Sequence, residues 1–263
     1  MVSVTAHITE MLERAGIENA AQEARWILED YPDAQTAEEI ARRRAEHEPL
    51  QYLLKAWEFY GLPMKVGEGV LAPRQDTETL VETVLARLRG QTAPQILDLC
   101  TGSGCIALAL RHELPGSKVT GMELSHAAFA YAKENAAALG LDITLIQGDV
   151  LDASSAAQFR DLDAIVCNPP YLTAEDMTHL QPEVAFEPET ALFGGADGLH
   201  YYREITRIWR KTLKPGGLLA YEIGIGQASD VAEILRQNGF AEIEAVKDYC
   251  GIERVITGKR DNS

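Results

Sequence analysis

Residues 96–104 read ILDLCTGSG, and the prediction of the fold starts from this segment. The apolar run predicts a buried strand, and the two glycines after it predict a tight turn into a helix over 105–112. Outward from this unit, strand patterns alternate with helix patterns. Strands are predicted at 118–123, 143–147, 164–167, 217–223, 242–246 and 253–257, and helices at 127–139, 199–213 and 228–238. This alternation predicts an α/β fold with a doubly wound, mostly parallel sheet.

The chain ahead of this unit has a different pattern. Residues 1–56 show only helical spacing of apolar residues, without a strand pattern. Residues 57–73 contain short extended runs around a glycine–proline turn, which predicts a hairpin or a linker. Helix is predicted again at 77–88. We therefore predict a helical N-terminal domain at 1–56, a hairpin or linker at 57–73 and an α/β domain at 74–263.

The glycine turn after the first strand has the features of a ligand-binding loop. Glycines let the backbone approach a ligand closely, and the N-terminus of the following helix favours a negative group. A plain structural turn has the same pattern. However, Glu123 ends the next predicted strand, where a carboxylate can bind ribose hydroxyls. Asp149 follows the third strand, where it can accept a hydrogen bond from an adenine amino group. Together these features predict an adenosine site.

Two features of the loop and the residues after it limit the class of nucleotide that can bind there. No lysine of the phosphate-binding type follows the glycines, and Ala107 stands where a dinucleotide-binding fingerprint needs glycine. Both observations argue against a ligand held by its phosphates. They favour a phosphate-free nucleoside such as S-adenosylmethionine.

A second motif follows the fourth strand, at the edge where such sheets bind ligands: Asn168-Pro169-Pro170-Tyr171. An amide nitrogen is a poor nucleophile because its lone pair is delocalised into the carbonyl. The Asn168 side-chain carbonyl and the Pro169 backbone carbonyl can accept hydrogen bonds from both N–H groups of such an amide, which turns the nitrogen lone pair toward a methyl donor. The prolines stiffen the turn, and Tyr171 can stack on a planar acceptor. These four residues are the predicted catalytic residues of an N-methyltransferase; the alternative is a proline-rich turn that only caps the strand.

The chain resembles the release-factor glutamine N5-methyltransferases over nearly its whole length. Beside the glycine loop and the tetrapeptide, the shared segments are PLQYL at 49–53, EFYG at 58–61, VLAPR at 70–74, EPETAL at 187–192, GGADGL at 194–199, and Lys247, Asp248, Gly251 and Arg254. The family usually has glycine where this chain has Cys100, Pro-Glu at Gln75-Asp76, and aspartate at Glu123.

This resemblance implies a seven-stranded class I S-adenosylmethionine-dependent methyltransferase domain, with a small helical substrate-recognition domain and a hairpin hinge ahead of it. It implies S-adenosyl-L-methionine as cofactor, S-adenosyl-L-homocysteine as product, and the glutamine of the Gly-Gly-Gln loop of peptide chain release factors as acceptor. The implied cofactor-binding residues are Cys100, Thr101, Gly102, Ser103, Gly104, Glu123, Asp149, Val150 and Asn168. The implied substrate-binding residues are Asn168, Pro169, Pro170, Tyr171 and Phe59.

The bulk composition limits the classes of partner. The 40 acidic and 24 basic residues give a formal net charge of −16, which opposes sequence-independent attraction to nucleic-acid phosphates. The four cysteines form no CxxC pair and lack histidines at metal-binding spacing, so we expect reduced thiols and no metal site. The sequence lacks the pattern of a signal peptide or a membrane span. We expect a cytoplasmic monomer without direct nucleic-acid or membrane contact.

Three other functions stay open at this point. A sister enzyme that methylates a glutamine of a ribosomal protein is the nearest alternative. An adenine N6-methyltransferase acting on DNA or RNA shares the tetrapeptide but needs a basic face that holds phosphates. A scaffold that binds the cofactor and docks release factors without turnover is the non-enzymatic alternative.

Several flanking residues have structural interpretations beside functional ones. Phe59 and Tyr60 fit hinge packing as well as a pocket wall. Arg74 is interpreted as structural, and Glu187-Pro188 as ordering the loop after the tetrapeptide. Helical spacing predicts core packing for Tyr201, Ile205, Ile208 and Trp209.

Overall fold

The computed structural model describes residues 3–261. Its first four helices are α1 (Val4–Arg14), α2 (Ala20–Asp30), α3 (Ala34–Ala45) and α4 (Leu50–Leu54). They pack around a hydrophobic core of their own, whose members include Ile8, Leu12, Ile27 and Leu53. The helical pattern agrees with the one predicted, whereas the domain boundaries stay predictions. Positions 1, 2, 262 and 263 of the predicted domains lie outside the described residues.

A short antiparallel hairpin follows the helices. It consists of β1 (Ala56–Phe59) and β2 (Leu62–Lys65), with Ala56 opposite Lys65. Its turn residues Tyr60 and Gly61 both have positive φ angles, 52° and 72°. Such a turn matches the twist of two antiparallel strands, and glycine adopts it without steric cost. The hairpin prediction is therefore confirmed for the first half of the 57–73 segment, and the second half is irregular.

Seven strands form the main sheet. They are β3 (Gln95–Leu99), β4 (Lys118–Glu123), β5 (Thr144–Gln147), β6 (Leu162–Cys167), β7 (Leu213–Glu222), β8 (Phe240–Lys247) and β9 (Glu253–Arg260). Their order is β5-β4-β3-β6-β7-β9-β8. All pairs from β5 to β7 are parallel, and β9 lies antiparallel between β7 and β8. The predicted doubly wound, mostly parallel seven-stranded sheet is confirmed.

Helices cover both faces of this sheet. They are α5 (Glu78–Arg87), α6 (Cys105–Glu113), α7 (His126–Leu139), α8 (Ala153–Ala156), α9 (Glu189–Leu192), α10 (His200–Trp209) and α11 (Ala228–Gln237). The first three share one hydrophobic cluster with alternate strand residues, and α8, α10 and α11 share the other. None of the helices within residues 3–261 is both long and apolar enough to cross a bilayer.

The hairpin and the N-terminal helices make polar contacts with a helix and with loops around the main sheet. Asn135 of α7 is fully buried; its Oδ1 accepts from the Lys65 N–H at 2.7 Å, and its Nδ2 donates to the carbonyls of Lys65 and Ser103 at 3.0 and 2.9 Å. Arg44 of α3 pairs with Glu23 at 2.6 Å and with Glu183 at 3.1 Å. Glu183 follows the tetrapeptide in the chain, so α3 contacts the loop that leaves the predicted site.

The predicted boundary between the helix at 199–213 and the strand at 217–223 was wrong. The helix expected over 199–213 ends at Trp209, a short 3-10 turn spans Arg210–Thr212, and Leu213 already belongs to β7. The indole N–H of Trp209 donates to the Val150 carbonyl at 2.8 Å, and its ring is fully buried. Leu213 pairs with Leu162 of the neighbouring strand. Leu213, which helical spacing had assigned to the helix, therefore belongs to the strand because it pairs with a residue of the neighbouring strand.

Candidate active site

The glycine loop leaves the carboxyl end of β3 with an unusual backbone. Cys100, Gly102 and Gly104 all have positive φ angles, of 58°, 57° and 82°. Asp98 lies fully buried beneath the loop, where its Oδ2 accepts from the Thr101 hydroxyl at 2.5 Å and from the Ala107 N–H at 3.2 Å. Burial raises the pKa of Asp98 to about 7. The carboxyl group thus holds the loop to the start of α6 from below.

Glu123 holds the same loop from the side. Its Oε2 accepts from the Gly102 N–H and its Oε1 accepts from the Ser125 N–H, both at 2.8 Å. Burial raises the pKa of this carboxyl, and the backbone N–H groups lower it. Each oxygen keeps lone pairs for a further donor. Glu123 is therefore fixed in place and able to accept hydrogen bonds from a ligand.

The loop faces a cavity of about 330 Å³. The predicted residues that line it are Cys100, Thr101, Gly102, Ser103, Glu123, Asp149, Val150, Asn168 and Pro170. Other lining residues are Gly69, Val70, Leu71, Ala72, Pro73, Arg74, Thr77, Cys105, Ile106, Leu124, Ser125, Ala128, Pro188, Thr190, Ala191 and Tyr201. The fold thus brings the ends of β3, β4 and β6 to one cavity, as expected for the carboxyl edge of a parallel sheet.

The tetrapeptide forms the end of this cavity at β6. Asn168 is half-buried, and its Nδ2 donates to the Thr77 hydroxyl at 3.4 Å. Within residues 3–261 its Oδ1 accepts no hydrogen bond. Tyr171 turns its hydroxyl toward Glu222, at 3.5 Å. Pro169 and Tyr171 are absent from the residues that line the cavity, so the stacking role expected for Tyr171 stays a prediction.

A glycine-rich loop supports the tetrapeptide from behind. Leu172, which follows the tetrapeptide, makes two backbone hydrogen bonds with the start of this loop. The Leu172 N–H donates to the Leu192 carbonyl at 2.9 Å, and the Gly194 N–H donates to the Leu172 carbonyl at 2.8 Å. A Cβ at Gly194 would lie 2.6 Å from the Tyr171 Cα. Only glycine permits this approach, which explains part of the 194–199 segment.

A buried carboxyl orders the opposite wall. The Glu187 side chain is 1% exposed; it accepts from the Ala72 N–H at 3.0 Å and from the Arg74 guanidinium at 2.5 Å. These bonds hold residues 69–74 over the cavity. The structural interpretation of Arg74 and the loop-ordering interpretation of Glu187 agree with these contacts, and Pro188 itself lines the cavity.

Two predicted site residues, Phe59 and Gly104, lie elsewhere than expected. Phe59 is 1% exposed and packs in the core between the hairpin and α5, so the structure gives it a packing role and no contact with the cavity. Gly104 lies behind the lining, close to Ala132. Tyr201, assigned to the core by its spacing, does pack against that core, but it is only partly buried and also lines the cavity; the neighbouring Tyr202 is fully buried.

Sequence reasoning missed the cavity residues outside the motifs. Leu124, Ser125 and Thr77 follow a strand or precede a helix, where a turn signal alone gives no functional hint. A signal was available for residues 70–73, because they form part of the VLAPR segment shared with the family. In the described part of the chain, no group of histidine, cysteine, aspartate and glutamate side chains is arranged to hold a metal ion, and all four thiols are free.

Comparison with known proteins agrees with this architecture. Residues 74–186 match the methyltransferase small domain. A release factor glutamine methyltransferase of Geobacter sulfurreducens is 40% identical over 267 residues, which cover 94% of this chain and 92% of the relative. The chain belongs to the release factor glutamine methyltransferase family. Another such methyltransferase, from Fusobacterium nucleatum, is 43% identical over 85% of this chain, which spans only 63% of that relative.

Solved structures place the family in the class I methyltransferase fold. A methyltransferase from Pyrococcus furiosus superposes with a TM-score of 0.60 at 17% identity, covering 84% of this chain and 99% of that protein. At this identity the match concerns the fold alone. The protein is thus a class I methyltransferase of the release factor glutamine methyltransferase family.

Proposed function

We propose that the protein transfers a methyl group from S-adenosyl-L-methionine to the side-chain nitrogen, N5, of the glutamine in the Gly-Gly-Gln loop of peptide chain release factors. The observation that carries the proposal is the environment of Asn168, a residue of the cavity lining: its Nδ2 donates to the Thr77 hydroxyl, and its Oδ1 accepts no hydrogen bond from any of residues 3–261. The named relatives support the choice of acceptor.

The cavity residues fit an adenosine-type cofactor. The Glu123 carboxylate, held by two backbone N–H groups, suits the paired hydroxyls of a ribose. Leu124, 56% exposed, and Val150 offer apolar surface for a planar base. Asp149 lines the same wall, and its Oδ1 accepts from the Leu151 N–H at 2.8 Å, which orients the second carboxylate oxygen for a donor. We assign the nucleoside to this wall, with the glycine loop at the methionine part.

The tetrapeptide is proposed to activate the glutamine amide. When bound, S-adenosylmethionine supplies an electrophilic methyl group on a sulfonium. Asn168 Oδ1 and the Pro169 carbonyl each accept a hydrogen bond from one of the two amide N–H groups. These two hydrogen bonds turn the nitrogen lone pair out of conjugation and toward the methyl group. Positive charge then grows on nitrogen, and the two carbonyl dipoles stabilise it. Since methylation makes the nitrogen acidic, its proton leaves afterwards without a dedicated base.

Charge supports a protein acceptor over a nucleic acid. The net charge of −16 works against binding phosphates, and an adenine methyltransferase needs a basic surface. The contact of Arg44 with Glu183 places the N-terminal helices against the loop after the tetrapeptide. We propose that these helices recognise the release factor, that the enzyme works as a cytoplasmic monomer, and that S-adenosyl-L-homocysteine is the second product.

The test uses the full chain, labelled S-adenosylmethionine, a release factor, a ribosomal protein and DNA. Mass spectrometry of the labelled acceptor is expected to find one methyl group on the glutamine amide of the Gly-Gly-Gln loop. Asn168→Ala is expected to abolish transfer while the cofactor still binds. Asn238→Ala is the matched control, since Asn238 lies at the end of α11, outside the N-terminal helices and outside the cavity lining. Preferential labelling of DNA or of the ribosomal protein, or full activity of Asn168→Ala, would overturn the proposal.

A further inference from the structure

A buried carboxyl lies next to the acceptor motif on the neighbouring strand. Cys167 pairs with Tyr221 in the parallel ladder of β6 and β7, so the next residues along the two strands are Asn168 and Glu222. Glu222 is 2% exposed. Within residues 3–261, its Oε2 has no hydrogen-bond partner. Since an unpaired buried polar atom is costly, this carboxyl calls for an explanation beyond packing.

Thr77 connects this carboxyl to Asn168. The Asn168 Nδ2 donates to the Thr77 hydroxyl oxygen at 3.4 Å. The Thr77 side chain also interacts with Glu222 and lowers the pKa of that carboxyl. A hydroxyl has one proton, so a threonine that donates to a carboxylate presents only lone pairs to its other neighbour. The Tyr171 hydroxyl donates to Glu222 Oε1 at 3.5 Å. An ionised Glu222 can only accept hydrogen bonds, so a Thr77 proton directed at its unpaired oxygen would leave only lone pairs for Asn168.

We propose that Thr77 and Glu222 are positioning residues, which hold the Asn168 amide with its nitrogen toward Thr77 and its oxygen toward the acceptor glutamine. The inference rests on the proposed function of Asn168. An asparagine side chain rotated by half a turn would present N–H groups to the substrate N–H groups, and these repel. The proton on Thr77 decides between the two orientations because it is committed to Glu222.

The protonation state of Glu222 controls this arrangement. Burial raises its pKa to about 7, against the lowering effect of Thr77, Arg254 and Tyr171. Asp76 raises it, and Arg254 is itself paired with Asp76 at 3.3 Å and with Asp248 at 3.4 Å. The remaining titratable groups that interact with Glu222 are Tyr202 and Cys105. A protonated Glu222 becomes a donor toward Thr77 or Tyr171, which removes the constraint on the Asn168 amide.

The kinetic test compares Thr77→Val, Thr77→Ser and Glu222→Gln with wild type on a release factor. Thr77→Val is expected to lower kcat roughly 10- to 100-fold with little change in the cofactor Kd, and Thr77→Ser to restore it. Thr83→Val is the matched control, because Thr83 is a buried threonine of α5, the helix that Thr77 precedes, and its hydroxyl donates to the Thr79 carbonyl at 2.7 Å. The wild-type kcat is expected to rise with pH through about 7, and Glu222→Gln to lack this rise.

A second readout does not depend on activity. The Asn168 side-chain ¹⁵N resonance, assigned by its loss in Asn168→Ala, is expected to shift with pH in wild type but not in Glu222→Gln, and to move in Thr77→Val. Unchanged kcat in Thr77→Val, or a resonance insensitive to both substitutions, would overturn the inference. A wild type without methyl transfer to release factors refutes the proposed function alone, and the resonance then decides the positioning role.

Discussion

Removal of the Glu187 carboxyl tests whether the wall of the cavity is held by the two bonds described. In Glu187→Ala the buried Ala72 N–H loses its acceptor, which costs about 1–3 kcal/mol. Arg74 is 39% exposed and regains water, so the loss of its ion pair adds at most about 1 kcal/mol. Glu187→Gln keeps an acceptor for Ala72 and is expected to lose only about 1 kcal/mol.

Calorimetry of the unfolding transition measures this difference. About 2–4 °C of Tm corresponds to 1 kcal/mol for a domain of this size, so the loss of about 1–4 kcal/mol in Glu187→Ala is expected to lower Tm by roughly 2–16 °C, and the loss of about 1 kcal/mol in Glu187→Gln by roughly 2–4 °C. The control is Glu189→Ala, an exposed glutamate two positions away that is expected to leave Tm nearly unchanged. The reasoning is refuted if the two Glu187 variants lose the same Tm, because the Ala72 bond would then contribute nothing.

Three further substitutions probe the loop and its anchors. The pKa of Asp98 is raised to about 7 in the folded protein, so this carboxyl takes up a proton on folding at mildly acid pH. As the pH rises from about 5 to 8, the free energy of unfolding measured by urea titration should therefore fall more for wild type than for Asp98→Asn. Parallel pH dependences of the two proteins would contradict this. Asn135→Ala removes three bonds to Lys65 and Ser103 and is expected to cost roughly 2–4 kcal/mol in the same assay, with a loss below about 0.5 kcal/mol as the contrary result. Cys100→Gly removes the steric strain of a non-glycine residue in the left-handed region and is expected to raise Tm slightly. The strain relieved, about 1–2 kcal/mol, exceeds the cost of the added chain entropy of glycine, about 0.5–1 kcal/mol. A lower Tm contradicts the strain argument.

The fold was largely predictable because its signals are local. Apolar strands, glycine turns and amphipathic helices follow one another in sequence, and each pattern has one structural meaning. The boundary near Leu213 was not predictable in this way, because an apolar residue after a helix fits either the helix or a following strand. Its pairing with Leu162 is a contact between distant segments, and periodicity carries no information on such contacts.

The site was predictable only where residues lie in motifs. The glycine loop and the tetrapeptide each occupy one short segment, so their chemistry shows in the sequence. Tyr201 and Tyr202 differ by one position on α10, and only the packing of that helix decides which of them faces the cavity. Thr77 and Glu222 come from distant segments and meet Asn168 through the strand order, which the sequence does not specify.

The three bonds of Asn135 have a mechanical consequence. One side chain joins the hairpin at Lys65 to the glycine loop at Ser103, so a shift of either segment disturbs the hydrogen bonds of the other. A ligand that favours one position of the loop therefore favours one position of the hairpin. By thermodynamic reciprocity, a partner protein that favours the same position of the hairpin raises the affinity for that ligand by the same factor.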